Sequence, residues 1–151
     1  MASVNQTSAL PSLVDYTLLG AKQQEIYNFQ KVAALLADYG FNCIKLADDW
    51  NGADFIADHI GGGLTLRVQL KGRLTIATKY SAKALHIAFP IKGVWYMVDH
   101  DRLLELCDVH TDWLKTTSWS TGGHYSSVTA NPALKLALRP FAIGTLTISH
   151  P

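Results

Sequence analysis

Asp54, Gln69 and Lys71 are the residues of this sequence whose types and spacing suit one reaction. A carboxylate and an amide carbonyl are hard oxygen donors of the kind Mg²⁺ takes. That ion draws one or two carboxylates from a protein and fills its other positions with water and substrate phosphate. An ammonium group beside it positions and helps deprotonate an attacking water, or stabilises charge developing on phosphorus. The three residue types together predict metal-assisted phosphodiester hydrolysis, with Mg²⁺ as cofactor and Mn²⁺ as a substitute.

Such a site needs elements that bring its parts together. Residues 53–60 and 64–71 read as two strands, and Gly61, Gly62 and Gly63 between them take positive φ without steric penalty, as a hairpin tip requires. Leu66, Val68 and Leu70 point to one face of the second strand while Arg67, Gln69 and Lys71 point to the other. Asp54 lies farther from Gly63 than Gln69 does, so a register offset or a bulge is expected to align them.

Upstream, Ile26, Phe29, Val32, Ala33, Leu36 and Tyr39 recur at threes and fours, which predicts a helix over residues 21–39 stopped by Gly40. Glu25 falls beside the buried stripe of that helix, where a carboxylate needs a cation, so it is the preferred further ligand. Gln30 on the same helix and Asp58, on the face of Asp54, are the alternatives. A strand over residues 41–46 and a turn over 48–52 lead to the hairpin.

Residues 84–91 and 94–98 read as neighbouring strands joined through Lys92 and Gly93, and residues 102–107 as a short helix capped from Asp99 and Asp101. Residues 111–129 read as loops with one strand, and Asn131 and Pro132 open a final helix ending by residue 140. Residues 1–10 read as a polar arm. The whole predicts a single α/β domain, with an arm over 1–20, a core over 21–107 and a C-terminal extension over 108–151. Its centre is a mixed sheet of about five strands flanked by helices.

The order of these parts resembles the PD-(D/E)XK, or restriction-endonuclease-like, nuclease superfamily. The resemblance covers residues 21–98: a leading helix ending at Gly40-Phe41, a strand, Gly52-Ala53-Asp54, a hairpin, and Val68-Gln69-Leu70-Lys71 in place of the acidic-x-lysine pair. Ala53 stands where the superfamily's name has proline, and Gln69 where most members have Asp or Glu, as in its glutamine-variant branch. The resemblance implies a Mg²⁺-dependent endodeoxyribonuclease of homing, restriction, resolvase or repair type that leaves 5′ phosphates. It implies that Asp54, Gln69 and Glu25 hold the metal and that Lys71 assists the attacking water. Cutting both strands of DNA requires a homodimer or larger assembly.

Composition bounds the alternatives. With 48% hydrophobic and 17% charged residues among 151, the chain can bury a core, which excludes disorder and disulfide-dependent miniproteins. The net charge of +1 gives no global attraction to DNA, so a basic surface must be local; Arg67, Arg73, Lys79, Lys83 and Lys92 supply one. Cys43 and Cys107 lack zinc-site spacing and read as buried thiols. No apolar run approaches the roughly 20 residues of a membrane span, and no secretory leader precedes the arm, so a cytoplasmic protein is expected.

Each residue also has a plainer reading. Asp54 and Lys71 alone suit strand ends, Glu25 a first-turn helix carboxylate, and the basic residues an ordinary surface. His86 reads as a satisfied core histidine, His100 as part of a capping turn, and the tryptophans as buried anchors. The second functional class is a catalytically inactive nucleic-acid-binding or scaffolding protein on the same fold.

Overall fold

The computed structural model describes residues 10–144, so most of the polar arm and the end of the C-terminal extension lie outside the described residues. The leading helix α1 (Ala21–Ala37) starts where the Gly20 N–H donates to Gln23 Oε1. Its last turn is closed by Gly40, whose φ of +84° lies in the left-handed region that favours glycine. The chain then enters β1 (Phe41–Trp50) and β2 (Ala53–His59), an antiparallel pair. Gly62 and Gly63, both at positive φ, turn it into β3 (Thr65–Leu70), as the glycine tip predicts.

Next come β4 (Leu74–Ala77), β5 (Leu85–Ile91) and β6 (Val94–Asp99). Helix α2 (His100–His110) is capped by Asp99, which accepts from the Arg102 N–H. Helix α3 (Thr117–Gly122) and strand β7 (His124–Ser127) occupy the stretch expected to be mostly loop. Helix α4 (Pro132–Leu138) follows, capped by Asn131, and β8 (Ala142–Ile143) ends the described chain.

The central sheet has six strands, in the order β1-β2-β3-β5-β6-β8, and β4 pairs with β7 in a separate two-stranded sheet. The expected five strands are therefore all in the central sheet, extended at one edge by β8, which two residues are too few to announce. Only β3 and β5 run parallel, so the sheet is mixed. Strand β4 is four residues long, and β7 lacks an apolar alternation, which is why neither stands out in the sequence.

Each face of the sheet has its own core. Phe29, Val32 and Leu36 of α1 pack on Phe55, Ala57, Val68, Leu70 and Ala88. On the other face Ile87, Phe89, Tyr96 and Val98 meet Leu103 of α2, Leu134 of α4 and Ile76 of β4. Alternation along β5 sends Ala88 to the first core and Ile87 and Phe89 to the second, so the sheet is covered on both sides there. His100, expected only in a capping turn, is buried between α2 and β4. Its Nε2 accepts from the Ala77 N–H at 3.1 Å, and burial lowers its pKa, which keeps that nitrogen an acceptor.

Phe55 joins α1 to the site hairpin: it is fully buried, and its ring meets Phe29 edge to face at 5.3 Å. Replacing Phe55 by Ala is expected to lower the unfolding free energy by about 3–5 kcal/mol. The shift of the denaturant midpoint at unchanged m-value measures it.

Candidate active site

The hairpin places the predicted residues without the expected bulge. Phe55 pairs with Val68, and one further step of the same register sets Asp54 opposite Gln69. The turn centre lies before Gly63, so the two residues are equidistant from it and no offset is needed.

At that step the strands part. Ladder pairing between β2 and β3 ends at Phe55 and Val68, and β1 loses its register with β2 between Lys45 and Trp50. The Asp54 side chain takes the place of a ladder carbonyl: Oδ2 accepts the Leu70 N–H at 2.8 Å and the Gln69 Nε2–H at 2.8 Å. The carboxylate thus stands in an opening between strands, bonded by the Gln69 side chain and under the charge of Lys45. Gln69, paired beside Ile87, belongs to the α2 side, while Lys45, paired with Phe55, belongs to the α1 side.

Glu25 stands on the α1 flank. Its carboxylate accepts from Lys45 Nζ at 2.8 Å and Lys22 Nζ at 3.4 Å, and the Lys45 bond holds its pKa below the ordinary value. Lys71 follows β3, with its N–H on the Ala88 carbonyl and its ammonium 5.5 Å from the Tyr80 ring centroid. Glu25 and Lys71 line a cleft of about 190 Å³ with Leu70 and Gly72. Asp54 bonds Gln69, and Glu25 and Lys71 lie near enough for their charges to act on its carboxylate.

The alternatives lie elsewhere. Gln30 is on the exposed side of α1. Asp58 sits toward the hairpin tip, about 13 Å of strand from Asp54 at ~3.3 Å per residue, and accepts from Thr65 Oγ1 at 2.7 Å. Sequence reading missed Lys45, although a signal was present: Phe41, Cys43 and Lys45 share one face of β1, and a cation there interrupts an apolar alternation.

Burial pushes the Asp54 carboxyl pKa upward, and the nearby Glu25 charge adds to that, against the lowering by the Leu70 N–H, Lys45 and Lys71. A half-buried carboxylate in this state gains from a cation. Asp54 Oδ1 and Gln69 Oε1 accept no hydrogen bond within the described residues, so two hard oxygens are free. Among the described residues no group of three or more His, Cys, Asp or Glu gathers as a metal cage. One carboxylate oxygen and one amide oxygen are hard donors that would suit Mg²⁺, with waters and phosphate completing its shell.

Of the basic residues, Arg73, Lys79, Lys83 and Lys92 are exposed. Arg67 instead lies along the surface, donating to the Lys83 carbonyl and lying 5.8 Å from the Trp50 ring centroid. Lys79 lies 5.1 Å from the ring centroid of Tyr80, the same ring Lys71 approaches. His86 is not a satisfied core histidine, since its buried Nδ1 has no partner. Trp50 is exposed rather than a buried anchor, and Cys43 is half-buried while Cys107 is buried, its thiol pushed up to about 12. No described helix is long and apolar enough to cross a membrane.

No protein-family model matches the chain, and no curated protein matches it. Among solved structures it is similar to Hjc of Archaeoglobus fulgidus, a Holliday junction resolvase from an archaeal hyperthermophile. The TM-score is 0.42 at 16% identity, covering 50% of this chain and 72% of that one. It is also similar to a bacterial homing endonuclease, I-Ssp6803I, with a TM-score of 0.44 at 14% identity, covering 82% of this chain and 95% of that one. At such values the chemistry rests on the side chains themselves.

The raised Asp54 pKa means that the folded state holds this proton more tightly than the unfolded state does. Its contribution to stability is full below the ordinary carboxylate range and is lost as pH rises through the raised value. Asp54→Asn is expected to remove that part of the decline, seen as a smaller fall in unfolding free energy from acid to neutral pH than in the wild type. Lys45→Met is expected to raise the Glu25 pKa, read by NMR titration of its side-chain carboxyl carbon.

Proposed function

We infer that the chain is a metal-dependent DNA endonuclease of the PD-(D/E)XK kind, in its glutamine variant. The observation that supports this reading most is the Asp54 carboxylate itself. It is 2.8 Å from the Gln69 amide, under the fields of Glu25, Lys45 and Lys71, and disfavoured as a bare anion by burial. A structural strand-end aspartate has no need of such surroundings.

Asp54 Oδ1 and Gln69 Oε1 would hold Mg²⁺ or Mn²⁺, with Glu25 as the flanking carboxylate. Bound there, the ion supplies charge for the phosphate oxygens and acidifies a water. Lys71 orients that water and carries positive charge toward the phosphate as it gains a fifth bond. The water oxygen bonds to phosphorus, the bond to the 3′ oxygen breaks, and that oxygen leaves with a proton. The products are a 5′ phosphate and a 3′ hydroxyl, the outcome the family resemblance implies.

Exposed Arg73, Lys79, Lys83 and Lys92 would draw the DNA backbone, with a contribution that salt screens. One site cuts one strand, so cleavage of both strands calls for a homodimer or larger assembly, which light scattering of the purified protein would report.

A second reading is favoured by one observation: Glu25 is already neutralised by Lys45 and Lys22. On that reading the protein binds nucleic acid on the same fold without cutting it.

Nicking of supercoiled plasmid and of mixed linear DNA, with Mg²⁺, with Mn²⁺ and with chelator, separates the two. The wild type is expected to nick in either metal and not in chelator. Asp54→Ala and Lys71→Ala should each lower the rate by about a hundredfold or more. DNA that shifts on a gel yet stays intact in both metals supports the binding protein instead.

A further inference from the structure

A second cleft opens beside the site, and the two are continuous. It holds about 680 Å³ between α1 and the β5–β6 hairpin, and it shares Tyr16, Asn28 and Gly72 with the smaller cleft that carries Glu25 and Lys71. Its volume is that of a small-molecule pocket rather than of a duplex channel.

Aromatic groups dominate its walls. Tyr27 projects from α1, Tyr16 meets it at 5.3 Å between centroids, and Trp95 of β6 contributes from the strand side. Lys31, exposed one helical turn beyond Tyr27, places its ammonium 5.3 Å from the Tyr27 ring centroid. Opposite, Gly72 and Gly93 leave open space, since a Cβ at either would meet nothing within 4 Å.

A nearly buried amide also lines this space. Asn28 is 8% exposed, and its Nδ2 donates to the Tyr16 hydroxyl at 2.9 Å, while its Oδ1 accepts nothing within the described residues. The amide turned the other way would exchange the two roles, so either assignment leaves one polar end for a ligand. That free end is open to solvent, so a ligand with complementary hydrogen-bonding edges would take the place of water there.

We propose that this cleft seats one unpaired nucleobase of the DNA, stacked against Tyr27 and edge-bonded by Asn28, with its phosphate toward Lys31. The proposal rests on the nuclease reading of the adjoining site and names its substrate class: DNA with an unpaired nucleotide next to the bond to be cut. A base has flat π faces for the tyrosine and polar edges for the amide, and its attached phosphate complements the lysine. An apolar peptide would leave both Asn28 and Lys31 unanswered. A base held in a duplex cannot enter the cleft without losing its stack, whereas a bulged base has no partner to give up.

The test is binding in chelator, so that cleavage plays no part. Two duplexes of equal length are compared, one fully paired and one with a single bulged 2-aminopurine, whose emission falls when it stacks. The wild type is expected to bind the bulged duplex about tenfold more tightly and to quench its emission. Tyr27→Ala and the exposed Lys31→Glu should each reduce that preference severalfold, and Lys115→Ala, at an exposed lysine that lines neither cleft, should keep it. Equal affinity for the two duplexes, or a preference and quenching that survive both Tyr27→Ala and Lys31→Glu, overturns the base pocket while leaving the nuclease reading intact. Failure to bind either duplex, in chelator and in Ca²⁺ alike, overturns both.

Discussion

The two hydrogen bonds that the Asp54 carboxylate accepts from the Gln69 amide and the Leu70 N–H sit where the central sheet stops being a sheet. Beyond Phe55 and Val68 a backbone carbonyl would normally continue the ladder, and a side chain does so instead. The substitution leaves a gap between strands and fills it with a charge. Without those bonds Leu70 would keep a buried N–H with no acceptor, and the carboxylate would have nothing to fix its direction. The same contact therefore finishes the fold of β3 and aims the acid.

The surrounding parts follow from that gap. Gln69 bonds the Asp54 carboxylate directly, while Lys45, held on Glu25, acts on it only through its charge. The local electrostatics then become a contest between burial and Glu25 on one side and Lys45, Lys71 and the Leu70 N–H on the other, with burial the largest influence.

Much of this was legible in the sequence because period and punctuation are local. The apolar stripe of α1, the glycine that ends it, the glycine tip and the alternation of β3 each follow from a few adjacent residues, and together they predict that Asp54 and Gln69 meet. The register was harder: three successive glycines do not say which pair of residues centres the turn, so a bulge was expected where none exists. The contacts of Arg67 with Lys83 and Trp50 depend on neighbouring elements, which no single strand reveals. Strand β7 is polar because it pairs at a small second sheet rather than in the core, and such a strand carries no apolar signal.

The corner at Gly40 has a consequence at the other end of the helix. Helix α1 and strand β1 leave that corner as two arms, and Glu25 and Lys45 clasp them some way out, at 2.8 Å. The corner cannot readily be reshaped, since a Cβ there would meet His59 Nε2 at 3.0 Å on a left-handed backbone. With one vertex rigid and the free limbs latched, the two arms behave as a small truss. A slight change of angle at the corner is magnified over about 18 Å of helix, from Ala37 back to Glu25 at ~1.5 Å per residue. The tightness of a turn remote from any chemistry thereby governs where a negative charge stands beside Asp54.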